Sequence, residues 1–344
     1  MRINLKASLA SGLLAASVIL QAACATTGKP AEQQTQMEPP PEIYANMPLE
    51  QAVSAAVNYG GDTLDSVKRL IKKRNEAAQT AKIVAKSLTD QVSDMQPHQL
   101  LNAAHLYAAH ADRLPPDLFT QLVRSARIPV RMLGWQLAAA KPSAEIARSM
   151  DAELTRAIAA GEEEQVLVPQ MANAVRANRL GSSYTVVRQG LMTVGSEEFA
   201  LAMTALDPRR ASDDFLQYLA MVPPEELRQL TLSTVNLYTC VAILKHMRRY
   251  PPAVGATNFE NLYFYSVSRN TGLAELAQAV LESYLPEQSE MLAQMLAKHP
   301  AWVQMAYLES SRRRMNPKIG LLLGDLKQFT PEKDVANEIK EITQ

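Results

Sequence analysis

Two thiols, five histidines and a handful of charged runs are the residues of this 344-residue chain whose types could do chemistry. Cys24 follows two small residues in Gln21-Ala22-Ala23-Cys24. Cys240 lies in the apolar run Leu237-Tyr238-Thr239-Cys240-Val241-Ala242-Ile243-Leu244. A nucleophilic thiol needs a neighbour that stabilises the thiolate, and no His or Lys is nearer to Cys240 than Lys245, so it reads as a buried, inert side chain. His98 and His105 would share a helix face, but His110 falls about 140° round from His105, and no His-Glu-x-x-His occurs. No metal site is expected. Glycine-rich phosphate cradles and the Gly-x-Ser-x-Gly elbow are missing, so no cofactor is implied. Tyr59-Gly60-Gly61-Asp62 opens a helix and reads as a turn, although its amino end could accept an anion. The remaining candidates are cationic. Arg312, Arg313, Arg314 and Lys318, together with Arg248 and Arg249, are the best residues for contacting an acidic partner or lipid head groups, although three successive arginines spread over about 200° of a helix.

The start of the chain carries an address. Arg2 and Lys6 form a positive stretch, Ala7 to Leu20 an apolar run too short and too interrupted by serine to span a bilayer comfortably, and small residues then precede Cys24. These residues resemble the export signal of bacterial lipoproteins, with Gln21 standing where that family usually has Leu. The resemblance implies removal of residues 1–23 and acylation of Cys24, and two or three acyl chains give stable membrane attachment. In that family an Asp after the cysteine favours retention in the inner membrane, so Ala25 points to the outer membrane, facing the periplasm. Ala23-Cys24-Ala25 also reads as a small-x-small site, and cleavage after Ala25 would release the chain instead.

Beyond Cys24 the composition changes twice. Residues 24–47, with Thr26, Thr27, Gly28, Gln33, Gln34 and Pro39-Pro40-Pro41, bury too little apolar surface to offset ordering entropy and read as a tether of roughly 25 to 30 Å. Removing Arg2 and Lys6 leaves 33 of the 35 basic residues against 35 acidic ones. Such a balance argues against nucleic acid as a partner.

Residues 48–344 read as an all-α domain, with a subdivision near 250–257. Leu273, Leu276, Ala277, Val280, Leu281 and Tyr284 make one helical stripe, and Leu227, Leu230, Thr234, Leu237, Val241 and Leu244 make another about five turns long. The stretch from Asp62 to Val92, with Leu64, Val67, Ile71, Ala78, Ala81, Ala85 and Leu88, reads as one long amphipathic helix. Prolines at 97, 115–116, 129, 142, 169, 208, 223–224, 251–252, 286, 300, 317 and 331 recur at helix-sized intervals, most of them opening a first turn. Ser196-Glu197-Glu198 and Ser212-Asp213-Asp214 read as caps followed by acidic first turns. Tyr184-Thr185-Val186-Val187 and Leu262 to Val267 are β-prone but fit helices equally well.

The fold expected is an irregular α-solenoid or helical-repeat-like array, weakly similar to HEAT-type repeats from Arg127 to Arg249 but without a fixed period. Glu282-Ser283 matches the Glu-Ser pair of lytic transglycosylases, without the rest of that family's pattern. The function expected is that of a lipid-anchored scaffold or assembly factor that binds another envelope protein, not a small molecule. Two alternatives stand beside it. One is a carrier or chaperone with an apolar cavity, for which fifteen methionines would suit the lining, and the other is an envelope enzyme with an unrecognised site.

Overall fold

The computed structural model of the protein describes residues 44, 46–160, 166–179, 181–229 and 234–343. The signal, Cys24 and most of the range read as tether lie outside them. Among the described residues the chain is all-α, with 19 α-helices and no strand. No helix among them is long and apolar enough to cross a membrane. The fold divides between Glu153 and Leu154 into two compact units, so the turn at 250–257 lies inside the second.

The first unit holds α1 (Leu49–Tyr59), α2 (Gly61–Arg74), α3 (Ala77–Asp90), α4 (Pro97–His110), α5 (Pro116–Val123) and α6 (Ile128–Ala140), and α7 (Ala144–Ala159) runs across the division. Packing starts within the stretch read as tether. Tyr44 is 2% exposed, its hydroxyl 3.1 Å from Thr63 Oγ1, and Arg74 Nη1 donates to Met47 O at 3.0 Å. The long helix expected from Asp62 to Val92 is two helices. Asn75 takes a left-handed conformation (φ 55°), its N–H reaching Lys72 O while Glu76 N donates to Ile71 O, the two bonds of a Schellman ending. Leu64, Val67 and Ile71 then face the core from α2, and Thr80, Val84 and Leu88 from α3, because the break resets the helical phase.

Two glycines of this unit are set by close approach. Gly60 joins α1 to α2 at φ 66°, and a Cβ there would meet Asn102 Nδ2 at 2.7 Å. That amide donates to Val57 O at 3.0 Å and so closes the end of α1. The turn is thus filled by Asn102. Gly134 lets α6 press onto α5, where a Cβ would lie 2.7 Å from Val123 Cγ1. The neighbouring Trp135 meets Phe119 edge to face at 5.3 Å, and both rings are buried.

The second unit continues with α8 (Val168–Asn178), α9 (Tyr184–Val194), α10 (Glu197–Leu206), α11 (Pro208–Leu219), α12 (Pro224–Leu227), α13 (Thr234–Arg249), α14 (Asn261–Ser266), α15 (Thr271–Glu282), α16 (Ser289–Ala297), α17 (Ala301–Arg312), α18 (Pro317–Phe329) and α19 (Lys333–Thr343). The two β-prone stretches are helical, in α9 and α14. Helix starts follow the expected signals in part: Pro97, Pro116, Pro208, Pro224 and Pro317 are each first in a helix and Ser196 caps with its side chain, while Asp207, Asn270 and Asn316 are caps that the structure adds. Ser212 is a correction. It sits inside α11, and Asp207 is the cap of that helix. The stripe from Leu227 to Leu244 is also divided, between α12 and α13. On α13 the buried face is Cys240, Ile243, Leu244 and Met247, whereas Leu237 and Val241 are only half-buried.

Within each unit, the main packing joins helices no more than three places apart along the chain, such as α1 on α2 and α4, α11 on α13 and α14, and α16 on α18. Contacts this local are the mark of a helical-repeat-like array.

Candidate functional site

The six cations singled out by the sequence end or begin helices of the second unit, and the fold treats them differently. Arg312 Nη2 pairs with Glu338 Oε1 at 2.6 Å, and Arg314 pairs with Glu282. That partner also accounts for Glu282, the acid of the Glu-Ser pair. Arg313 and the Lys318 side chain are exposed on either side of the turn between α17 and α18, where Asn316 Oδ1 accepts from the backbone N–H groups of Lys318 and Ile319. Arg248 is exposed at the end of α13. Arg249 lines a cleft.

That cleft is built by tying the end of α13 to the start of α11. His246 Nε2 lies 2.8 Å from Pro208 O, and Ser212 Oγ donates to Tyr250 O at 2.6 Å. The His246 ring stacks on Tyr250 at 5.1 Å and meets Phe215 edge-on at 5.5 Å. Arg209, Asp213, Arg249, Tyr250, Pro251 and Ala253 consequently surround a space of about 360 Å³. Arg209 and Asp213 stand four apart on α11 and so share a face. The next face round carries Arg210 and Asp214, and those charges are used internally: Asp214 accepts from Arg188 Nε at 2.7 Å and Tyr184 Oη at 2.8 Å, while Arg210 lies over the Tyr184 ring at 4.2 Å.

Arg209 and Arg249 differ from these. Among the described residues neither guanidinium has a salt bridge or a side-chain hydrogen bond, and Arg249 has only the Tyr250 ring, 5.5 Å away. With Asp213 the cleft holds two cations and one anion, a net positive set facing solvent. Burial lowers the pKa of His246; the Pro208 carbonyl opposes this and the charge of Arg249 adds to it. Such an arrangement can bind an anionic group. Cys240 is elsewhere, fully buried with Tyr265 Oη 3.7 Å away, and burial pushes its thiol up to about 11. Among the described residues no three His, Cys, Asp or Glu side chains gather at metal-binding range.

Arg209 and Asp213 are absent from the sequence-based site. Arg209 follows Asp207-Pro208, a cap and a first-turn proline, so its place at a helix start was readable. Its meeting with Arg249, forty residues later, depends on the packing of α11 on α13. Comparison with family models, with curated proteins and with solved structures finds no match to this chain.

Proposed function

We propose that this protein is a lipid-anchored scaffold or assembly factor of the bacterial outer membrane, facing the periplasm, whose helical body binds another envelope protein. The Arg209–Arg249 cleft is its contact for an acidic segment of that partner. The observation that carries this reading is the pair of guanidiniums lining one cleft: among the described residues neither makes a salt bridge, and with Asp213 as the one anion of the lining the cleft keeps a net positive charge for a carboxylate from outside. The signal-like start ending at Cys24 supports the anchor. Helical arrays of this kind work by presenting extended surfaces, which fits binding better than catalysis.

Anchoring has its own test. In cells fed labelled palmitate, the wild-type chain is expected to take up label and sediment with membranes, and Cys24→Ala to do neither. Equal labelling of both chains would remove Cys24 from the account, and a wild-type chain without label would remove the anchor.

A further inference from the structure

The first unit has a groove of its own, about 410 Å³, between α1 and α3, bordered by the 91–96 turn and the first turn of α4. Its volume falls within the range of about 300 to 1,000 Å³ seen for ligand sites. Val53, Val57 and Met95 are buried at its base, while Glu50 and Asp94 are exposed on its rim. None of the lining side chains is cationic, and among the described residues neither carboxylate has a salt bridge or a side-chain hydrogen bond. An apolar base beneath two carboxylates that make no ion pair selects a group with the opposite polarity on an aliphatic stem.

The groove is also held in shape before anything enters. Arg127 grips the turn that carries Asp94 and Met95, its Nη1 donating to Val92 O at 2.9 Å and Ser93 O at 2.6 Å and its Nη2 to Met95 O at 2.8 Å. On the facing wall Gln99 Nε2 donates to Asn58 Oδ1 at 2.8 Å, and Gln99 Oε1 accepts from Gln96 N at 2.7 Å. A wall fixed this way loses little further freedom on binding, which lowers the cost of association.

We infer that this groove docks a peptide segment of a partner protein that presents a lysine or arginine beside an aliphatic side chain. The exposed rim leaves the groove open, which suits a segment laid along the surface more than an engulfed small molecule. The inference is independent of the cleft in the second unit, since it uses other residues and a ligand of opposite charge.

Fluorescence anisotropy on the full chain tests it, with three labelled peptides that differ only at a central position, arginine, glutamine or glutamate, between leucines. The arginine peptide is expected to bind about tenfold more tightly than the glutamine peptide, with the glutamate peptide weakest. Glu50→Gln with Asp94→Asn should bring the arginine peptide to the glutamine level. Gln91→Lys, which adds a cation to the lining and leaves both carboxylates in place, should weaken it too. Equal binding of the three peptides, no binding of the arginine peptide, or undiminished binding by the double rim variant with its helical circular dichroism intact would overturn the proposal.

Discussion

At Gly60 a backbone position and a side-chain amide contend for the same space. Its φ of 66° with ψ of −150° is a conformation that only glycine adopts readily, and Asn102 stands where a Cβ would go. Gly60→Ala should therefore destabilise the chain by about 2 to 3 kcal/mol, read as a lower urea midpoint with unchanged slope. An unchanged midpoint would mean that Asn102 and the turn can move aside. A second residue-scale consequence concerns acid. Burial leads the causes that lower His246, and it does the same for His105, His110 and His299. The unfolded chain, whose histidines titrate near 6.5, therefore takes up protons first as the pH falls. Stability from this source is complete above about pH 6.5 and declines below it, toward the lowered folded values. Calorimetry should give a lower Tm at pH 5.5 than at pH 7.5. A flat profile would contradict the burial of these rings.

Helix existence was legible in the chain, and helix phase only where a stripe stays within one helix. The Leu273 to Leu281 stripe is α15 with four of those positions buried, because a 12-residue helix keeps a single phase. The stripe from Asp62 to Val92 gave the right helical content and missed the break, because Asn75 contributes a backbone conformation that leaves no mark on hydrophobic spacing. Its signal was local: Lys72-Lys73-Arg74 in a last turn, followed by Asn, suits a helix end. For α13 the expected face was displaced because the stripe was counted from Leu227, across an interval where the helix does not run on. Arg249 could be proposed from charge alone, whereas the cleft could not, since it exists only where α11 meets α13. Caps are the element-scale feature most open to measurement. Asn316 Oδ1 accepts from Lys318 N at 2.9 Å and Ile319 N at 3.1 Å at the start of α18. Asn316→Ala should cost about 1 kcal/mol by urea unfolding, and no loss would show that these bonds add nothing net.

For the whole molecule, the proposed acylation of Cys24 would tether a helical body of two units, with a cleft in the second that holds two cations and one anion. Acyl chains confer stable residence at a membrane without choosing a partner. Charge complementarity supplies choice and on-rate, and it is sensitive to sign in a way that generic apolar adhesion is not. The most direct measurement is therefore crosslinking followed by affinity purification from native membranes, comparing the wild-type chain with the Arg209→Glu, Arg249→Glu double variant at equal membrane abundance. The account predicts that one envelope protein is recovered in stoichiometric amount with the wild type, that its crosslinked peptide is acidic and maps to the cleft, and that its yield falls at least about tenfold on charge reversal. Repeated recovery of the chain alone, or a partner whose yield ignores the reversal, would contradict it.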